Sequence, residues 1–270
     1  MRFRILIISA CAAVLTLAAH AQTADELVAK NIAARGGMDH ILAIHSLKTA
    51  GRMQQGGMTI PVTLETAAPD LLRQSFTIQG MTATTAYDGG IAWQISPFQG
   101  KKDPQQLGED DRRSLIEEAD FYGPLVNCKE KGNTVEYLGH ATVDGDDALL
   151  LKVTLKNGDI VNYYLDPDTY LEIRTEKTVF IRGAMRQTVT DLGSYKKVAG
   201  VYFPFSMESG TKGNPFRMQV TVDSMTANVP LDPARFHMPP EAGKPPASLQ
   251  PDPPRPSPSV PATAPVKPPR

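Results

Sequence analysis

From Leu47 to Ala227 apolar and polar residues alternate with a period of two, and Gly, Pro and Asp repeatedly interrupt the pattern. Leu47, Thr49, Gly51 and Met53 share one parity, with Lys48, Arg52 and Gln54 on the other. Ile60-Val62-Leu64, Leu72-Gln74-Phe76-Ile78, Met81-Ala83-Thr85-Tyr87 and Ile91-Trp93-Ile95 repeat the pattern. Successive side chains of a strand point to opposite faces, so such segments fold as half-buried antiparallel strands joined by short turns. Val135-Tyr137, Leu149-Leu151-Val153-Leu155, 160–165, 170–180, 184–192, 202–207 and 217–227 continue it. Asp144-Gly145, Asn157-Gly158 and Asp166-Pro167-Asp168 are turn signals between them. The reading is a mainly β (α+β) fold with about eleven antiparallel strands in one large curved sheet.

Helices are few. Thr23 and Glu26 have the spacing of a capping box, and Leu27, Val28, Ile32 and Ala33 follow on one face until Gly36-Gly37 stops the run. A short helical turn over 38–44 and a third helix over 110–119, after a polar loop at 97–108, complete the set. So few helices cannot bury one face of so large a sheet tightly, which leaves room for a cavity.

The two ends of the chain differ from this middle. Arg2 and Arg4 precede an apolar run over 5–19, and Ala19-His20-Ala21 offers small residues for cleavage before Gln22. Residues 1–21 therefore read as a signal peptide, and the run is too short for a membrane span. A second reading, lipidation at Cys11 after Ile8-Ser9-Ala10, stays open. From Pro239 onward the chain holds 13 of its 23 prolines and no aromatic residue, so 239–270 reads as an extended, disordered tail. Between them, 22–238 forms one domain. Without Arg2 and Arg4 the formal charge moves from −1 to −3, and no Lys/Arg run suggests nucleic acid. Cys128 is then the sole cysteine, so no internal disulfide staples the fold.

No catalytic, metal-binding or cofactor-binding constellation is legible. His40 and His45 are five apart, not the four of a helical zinc pair, while His140 and His237 stand alone. No Gly-x-Ser-x-Gly elbow surrounds Ser46, Ser96 or Ser114. Asp144-Gly145-Asp146-Asp147 lacks the closing Glu of a calcium loop, and Gly56-Gly57 and Gly89-Gly90 lie in strand turns rather than before a helix. What stands out instead is Met, with 10 in the chain and most of them beside strands, a side chain suited to a wall that fits variable alkyl groups.

An ordered set of segments carries a family resemblance. The helix ends in Gly36-Gly37, Leu47-Lys48-Thr49 opens a strand with Gly51, and Tyr87-Asp88-Gly89 precedes Trp93. Tyr122-Gly123-Pro124-Leu125, Val143-Asp144-Gly145 and Tyr164-Leu165-Asp166-Pro167-Asp168-Thr169-Tyr170 follow, then Phe203-Pro204, Asn228-Val229-Pro230-Leu231-Asp232 and Phe236. Over residues 23–238 this resembles the outer-membrane lipoprotein-sorting proteins of the LolA/LolB-like superfamily. The resemblance implies an unclosed antiparallel β-barrel wrapped around helices, with an apolar cavity that shields acyl chains of a lipoprotein or lipid in the periplasm. Binding without covalent chemistry agrees with the missing catalytic constellation, so no enzyme activity, no cofactor and, from the charge pattern, no nucleic acid are expected, and the protein is expected to be a monomer. By parity, the lining would come from Met53, Val62, Leu64, Phe76 and Ile78, joined by Trp93, Ile95, Leu151 and Val153. The segment 99–122 would be a mobile lid. Arg52, Arg73 and Arg113 are all candidates for the family's latch arginine, and the proline-rich tail is an addition to the family pattern. A non-catalytic envelope scaffold that holds a partner protein in the same shell is the alternative function, and an envelope hydrolase with an unrecognised site is a third.

Overall fold

The structure is a computed structural model and describes residues 22–181 and 183–240. The expected signal peptide and the tail from residue 241 lie outside the described residues. The chain opens with helices α1 (Ala24–Arg35) and α2 (Met38–Leu42). Thr23 and Glu26 form the full capping box: the Thr23 N–H donates to Glu26 Oε2 (2.9 Å) and the Glu26 N–H to Thr23 Oγ1 (3.2 Å).

Six strands then follow as a meander: β1 (Ser46–Gln55), β2 (Met58–Ala67), β3 (Leu71–Ile78), β4 (Met81–Asp88), β5 (Ala92–Ser96) and β6 (Lys101–Gln106). Helix α3 (Glu109–Glu118) and an irregular stretch lead to β7 (Thr134–Val143), β8 (Asp146–Thr154), β9 (Ile160–Leu165), β10 (Glu172–Ile181) and β11 (Ala184–Gly193). A small hairpin, β12 (Lys196–Val198) and β13 (Val201–Phe203), precedes β14 (Ser206–Thr211) and β15 (Met218–Ala227).

Thirteen of these strands make one antiparallel sheet in the order β6-β5-β4-β3-β2-β1-β15-β14-β11-β10-β9-β8-β7, and β12-β13 stand apart. The first strand is central. Strands β2 to β6 fan out to one edge, and β7 at the other edge is reached through α3. The two edge strands do not pair with each other, so the sheet is an unclosed barrel. The strand count exceeds the expected eleven partly because β6 carries no apolar alternation and holds Pro104, a residue that edge strands tolerate, and partly because the expected strand 202–207 is divided between β13 and β14 and the short β12 is added.

Cross-strand partners share a face, so the register divides the side chains between a concave and a convex surface. Helix α1 seals one arm of the concave face. Leu27 and Val28 pack with Leu149, Leu151, Val153 and Leu165. Helix α3 crosses to the other arm, where Leu115 and Ala119 pack on Leu72, Tyr87 and Ala92. Between them Ile41, Ile44, Val126 and Val201 form a third cluster. Glycine matters where backbones meet: a Cβ on Gly36 would overlap the Gly200 carbonyl oxygen, and one on Gly51 would overlap that of Thr221, beside the extra residue that β15 carries at Asp223.

The convex face has its own cover. The Trp93 indole N–H donates to the Phe236 carbonyl (2.7 Å), and Trp93 is only 2% exposed. Arg235 makes a two-pronged pair with the buried Glu65, and His237 reaches Asp88 (3.0 Å). The last described segment is thus strapped across the outside of β2 to β5.

Candidate functional site

A hollow of about 450 Å³ lies between α3 and the concave face of β9 to β11. Val161 and Tyr163 of β9, Val179 and Ile181 of β10, and Leu155 and Pro124 supply its apolar wall. Thr175, Thr188 and Thr190 add hydroxyls, and Lys177, Arg186, Glu117 and Glu118 add charge. The strand residues among these are cross-strand partners or period-two neighbours (Tyr163 with Thr175, Val161 with Lys177, Lys177 with Thr188, Val179 with Arg186), so one face presents them all.

Helix α3 roofs this hollow and is fastened on both sides. Its acidic first turn, Glu109, Asp110 and Asp111, suits the positive end of the helix dipole. Leu115 and Ala119 hold it to the β3–β5 arm through apolar contact. On the far arm the fastening is polar. Arg113 donates to the Phe180 carbonyl (2.7 Å) and pairs with Asp159 (3.4 Å). Lys177 pairs with Glu117 (2.6 Å), and the Asn157 amide donates to the same carboxylate (2.5 Å).

Two carboxyls meet at this fastening. Desolvation and the adjoining Glu117 push the Asp159 carboxyl up to about 6. Burial also works against ionisation of Glu117, but hydrogen bonds from Asp159 and Lys177 outweigh it and hold that carboxyl below its usual range. Glu118 projects into the hollow, accessible to water yet surrounded by protein, and desolvation raises it, partly offset by Lys177.

None of the nine residues expected to line a cavity borders this hollow. Met53, Val62, Leu64, Phe76 and Ile78 do lie together on the concave face, through the pairs Gly51–Val62, Thr49–Leu64, Val62–Phe76 and Ile78–Met81. Leu64 packs into the cluster under α3, whereas Met53, Val62, Phe76 and Ile78 are half-buried, and Phe76 stacks on Phe98 with ring centres 5.7 Å apart. Leu151 and Val153 share the concave face but are sealed under α1. The shared-face expectation fails for Trp93 and Ile95. They pair with Ala86 and Thr84 on the convex side, and the burial of Trp93 comes from the Phe236 segment.

Of the three candidate latch arginines, Arg52 binds Asp223 (2.7 Å) and Arg73 lies 3.8 Å from Glu65, both on the convex side. Arg113 alone sits on the roof helix. The residues that wall the hollow, notably Lys177, Val179 and Ile181, were not anticipated. Their signal was a strand with polar residues on both parities, Thr175 and Lys177 on one and Thr178 on the other, which an ordinary half-buried strand would not carry inward.

Among the described residues no group of three or more His, Cys, Asp or Glu is arranged to hold a metal ion. His40 binds the Gly36 carbonyl, His140 binds Asp147, and Cys128 is a free thiol. No helix among the described residues is long and apolar enough to cross a membrane.

No family model matches this sequence, and no curated protein is similar to it. Solved structures do match in fold. A DUF1329 family protein from Desulfovibrio piger superposes with a TM-score of 0.57 at 13% identity, covering 80% of this chain and 98% of that one. A LolA superfamily protein from Nitrosomonas europaea gives 0.55 at 14% identity, with 80% and 98% covered. An outer membrane lipoprotein-sorting protein domain from Vibrio parahaemolyticus gives 0.52 at 13% identity, with 79% and 95% covered. The chain therefore has the LolA-like fold, an unclosed antiparallel β-barrel around helices.

Proposed function

We propose that this protein is a non-catalytic carrier that holds acyl chains of a lipoprotein or lipid against the concave face of its half-barrel, outside the cytoplasm. The observation that carries this reading is the roofed hollow of about 450 Å³, walled by Val161, Tyr163, Val179 and Ile181, within the size range of ligand pockets. Each methylene that leaves water there contributes about 0.8 kcal/mol. The half-buried strip of Met53, Val62, Phe76 and Ile78 extends the same face and offers further apolar surface for a longer chain. Arg186, exposed at the wall, would meet an anionic head group. The fold shared with lipoprotein-sorting structures and the leader read at residues 1–21 agree with this role.

Titration with a fluorescent fatty-acyl probe tests it. Ile181→Asp and Phe76→Asp each place a charge on the binding face at sites that are not fully buried. The carrier reading expects probe affinity to fall at least about tenfold in either variant while the folded-state circular dichroism is retained. Wild-type affinity in both folded variants would refute the lining. A second reading, a scaffold for a partner protein, draws on the charged part of the wall, Glu117, Glu118, Lys177 and Arg186. It expects no uptake of acyl probes by the wild-type protein.

A further inference from the structure

Large apolar side chains are exposed at one end of the sheet to an unusual degree. In the antiparallel order, ten consecutive strands from β6 to β10 form five hairpins, β5–β6, β3–β4, β1–β2, β14–β15 and β10–β11, and all five turn at the same end. Met58, Met81, Phe98, Phe180, Met185 and Phe216 stand at these turns with between 38% and 85% of their surface exposed. Among the described residues three other large apolar side chains, Leu42, Ile91 and Leu138, are similarly exposed elsewhere. Strands lie about 4.8 Å apart, so the five tips line a curved edge on the order of 40 Å long. The sixth turn at this end, at 155–159, is covered instead by α3, through Asn157 to Glu117 and Arg113 to Asp159.

The two faces of the sheet both contribute. Met81 pairs with Ile78, and Met58 with Gln55, on the concave side. Phe180 and Met185 face each other across β10 and β11 on the convex side. A ligand in the hollow would account only for concave residues, and a protein laid on one face would leave the other bare. A medium into which the edge itself dips contacts both. The charge agrees. The stretches 54–59, 77–82, 95–102, 179–186 and 210–218 contain neither Asp nor Glu, while Lys102 and Arg186 are exposed in them. Lys212 and Arg217 are also present, paired with Glu176 and Asp191. Phe and Met side chains on glycine-containing turns, whose own residues include basic but no acidic side chains, suit the head-group layer of a bilayer that contains anionic lipid.

We propose that this hairpin-tip rim docks the protein edge-on to a phospholipid bilayer. The docking is independent of whether the hollow takes an acyl chain, and the two can fail separately: vesicle binding reads one and acyl-probe uptake the other. The test is flotation of the processed protein, as recovered from the producing cell, with vesicles of mixed zwitterionic and anionic phospholipid. Phe180→Asp with Met185→Asp, and separately Phe216→Asp, alter the rim. Ile91→Asp and Leu138→Asp are matched controls at exposed sites away from it. The expected result is flotation of the wild-type and control proteins and a loss of vesicle affinity of at least about tenfold in the rim variants. A wild-type protein that stays at the bottom of the gradient, or rim and control variants that float alike, overturns the proposal.

Discussion

Gly36 shows how much one residue position can decide. It ends α1 with φ at +131°, in a region that side chains disfavour, and its missing Cβ leaves space for the Gly200 carbonyl. Gly200 in turn leaves room for the His40 ring. Gly36→Ala meets both backbone strain and overlap, so it should lower unfolding stability by about 1–3 kcal/mol. Urea denaturation checks this; an unchanged midpoint would show that the turn relaxes freely. Trp93 marks the limit of reading single residues. Alternation revealed that β5 is a strand with an apolar parity, but a period of two does not say which face meets the helices. Ala92 packs under α3, while Trp93 is buried beneath a segment that begins more than a hundred residues later. No local pattern announces that second cover.

At the scale of elements, α3 is the part whose attachment responds to pH. Unfolded, Asp159 ionises in the ordinary carboxylate range; folded, it does so at about 6. Between those values the folded protein holds the extra proton. The contribution of Asp159 to stability is therefore full at low pH, shrinks as pH rises through this window, and is gone above about 6. Glu117 acts in the opposite sense, losing its contribution as pH falls through its own lowered value, so it does not cancel the effect between pH 5 and 7. Relative to Asp159→Asn, the wild-type protein should lose stability from pH 5 to pH 7, and amide exchange in α3, corrected for intrinsic rates, should show the same trend. A difference between the two proteins that is flat with pH would remove Asp159 from this role. The helix itself was legible from 110–119, as were the capping box at Thr23 and the hairpin turns at Asp144-Gly145 and Asn157-Gly158, because local chemistry fixes them. Strand β6 was not, since its residues, Lys101–Gln106, lack an apolar stripe and its ladder partner in the sheet is β5.

For the whole molecule, the ordered segments from Gly36 to Phe236 pointed to the LolA-like half-barrel, and three solved structures share that fold. The place of the hollow was not legible. It depends on where α3 lands after the chain passes from one edge of the sheet to the other, and that is fixed by long-range contacts of Leu115, Arg113 and Glu117 rather than by any neighbour in sequence. Parity could gather Met53, Val62, Phe76 and Ile78 on one face, but could not tell that the roof would sit over Val161, Val179 and Ile181 instead. The central claim is that this half-barrel holds an acyl chain. Native and lipid mass spectrometry of the protein purified from cell envelopes tests it most directly. The account predicts a stoichiometric acylated ligand that is lost in Ile181→Asp; a wild-type protein that emerges empty and takes up no acyl probe would contradict it.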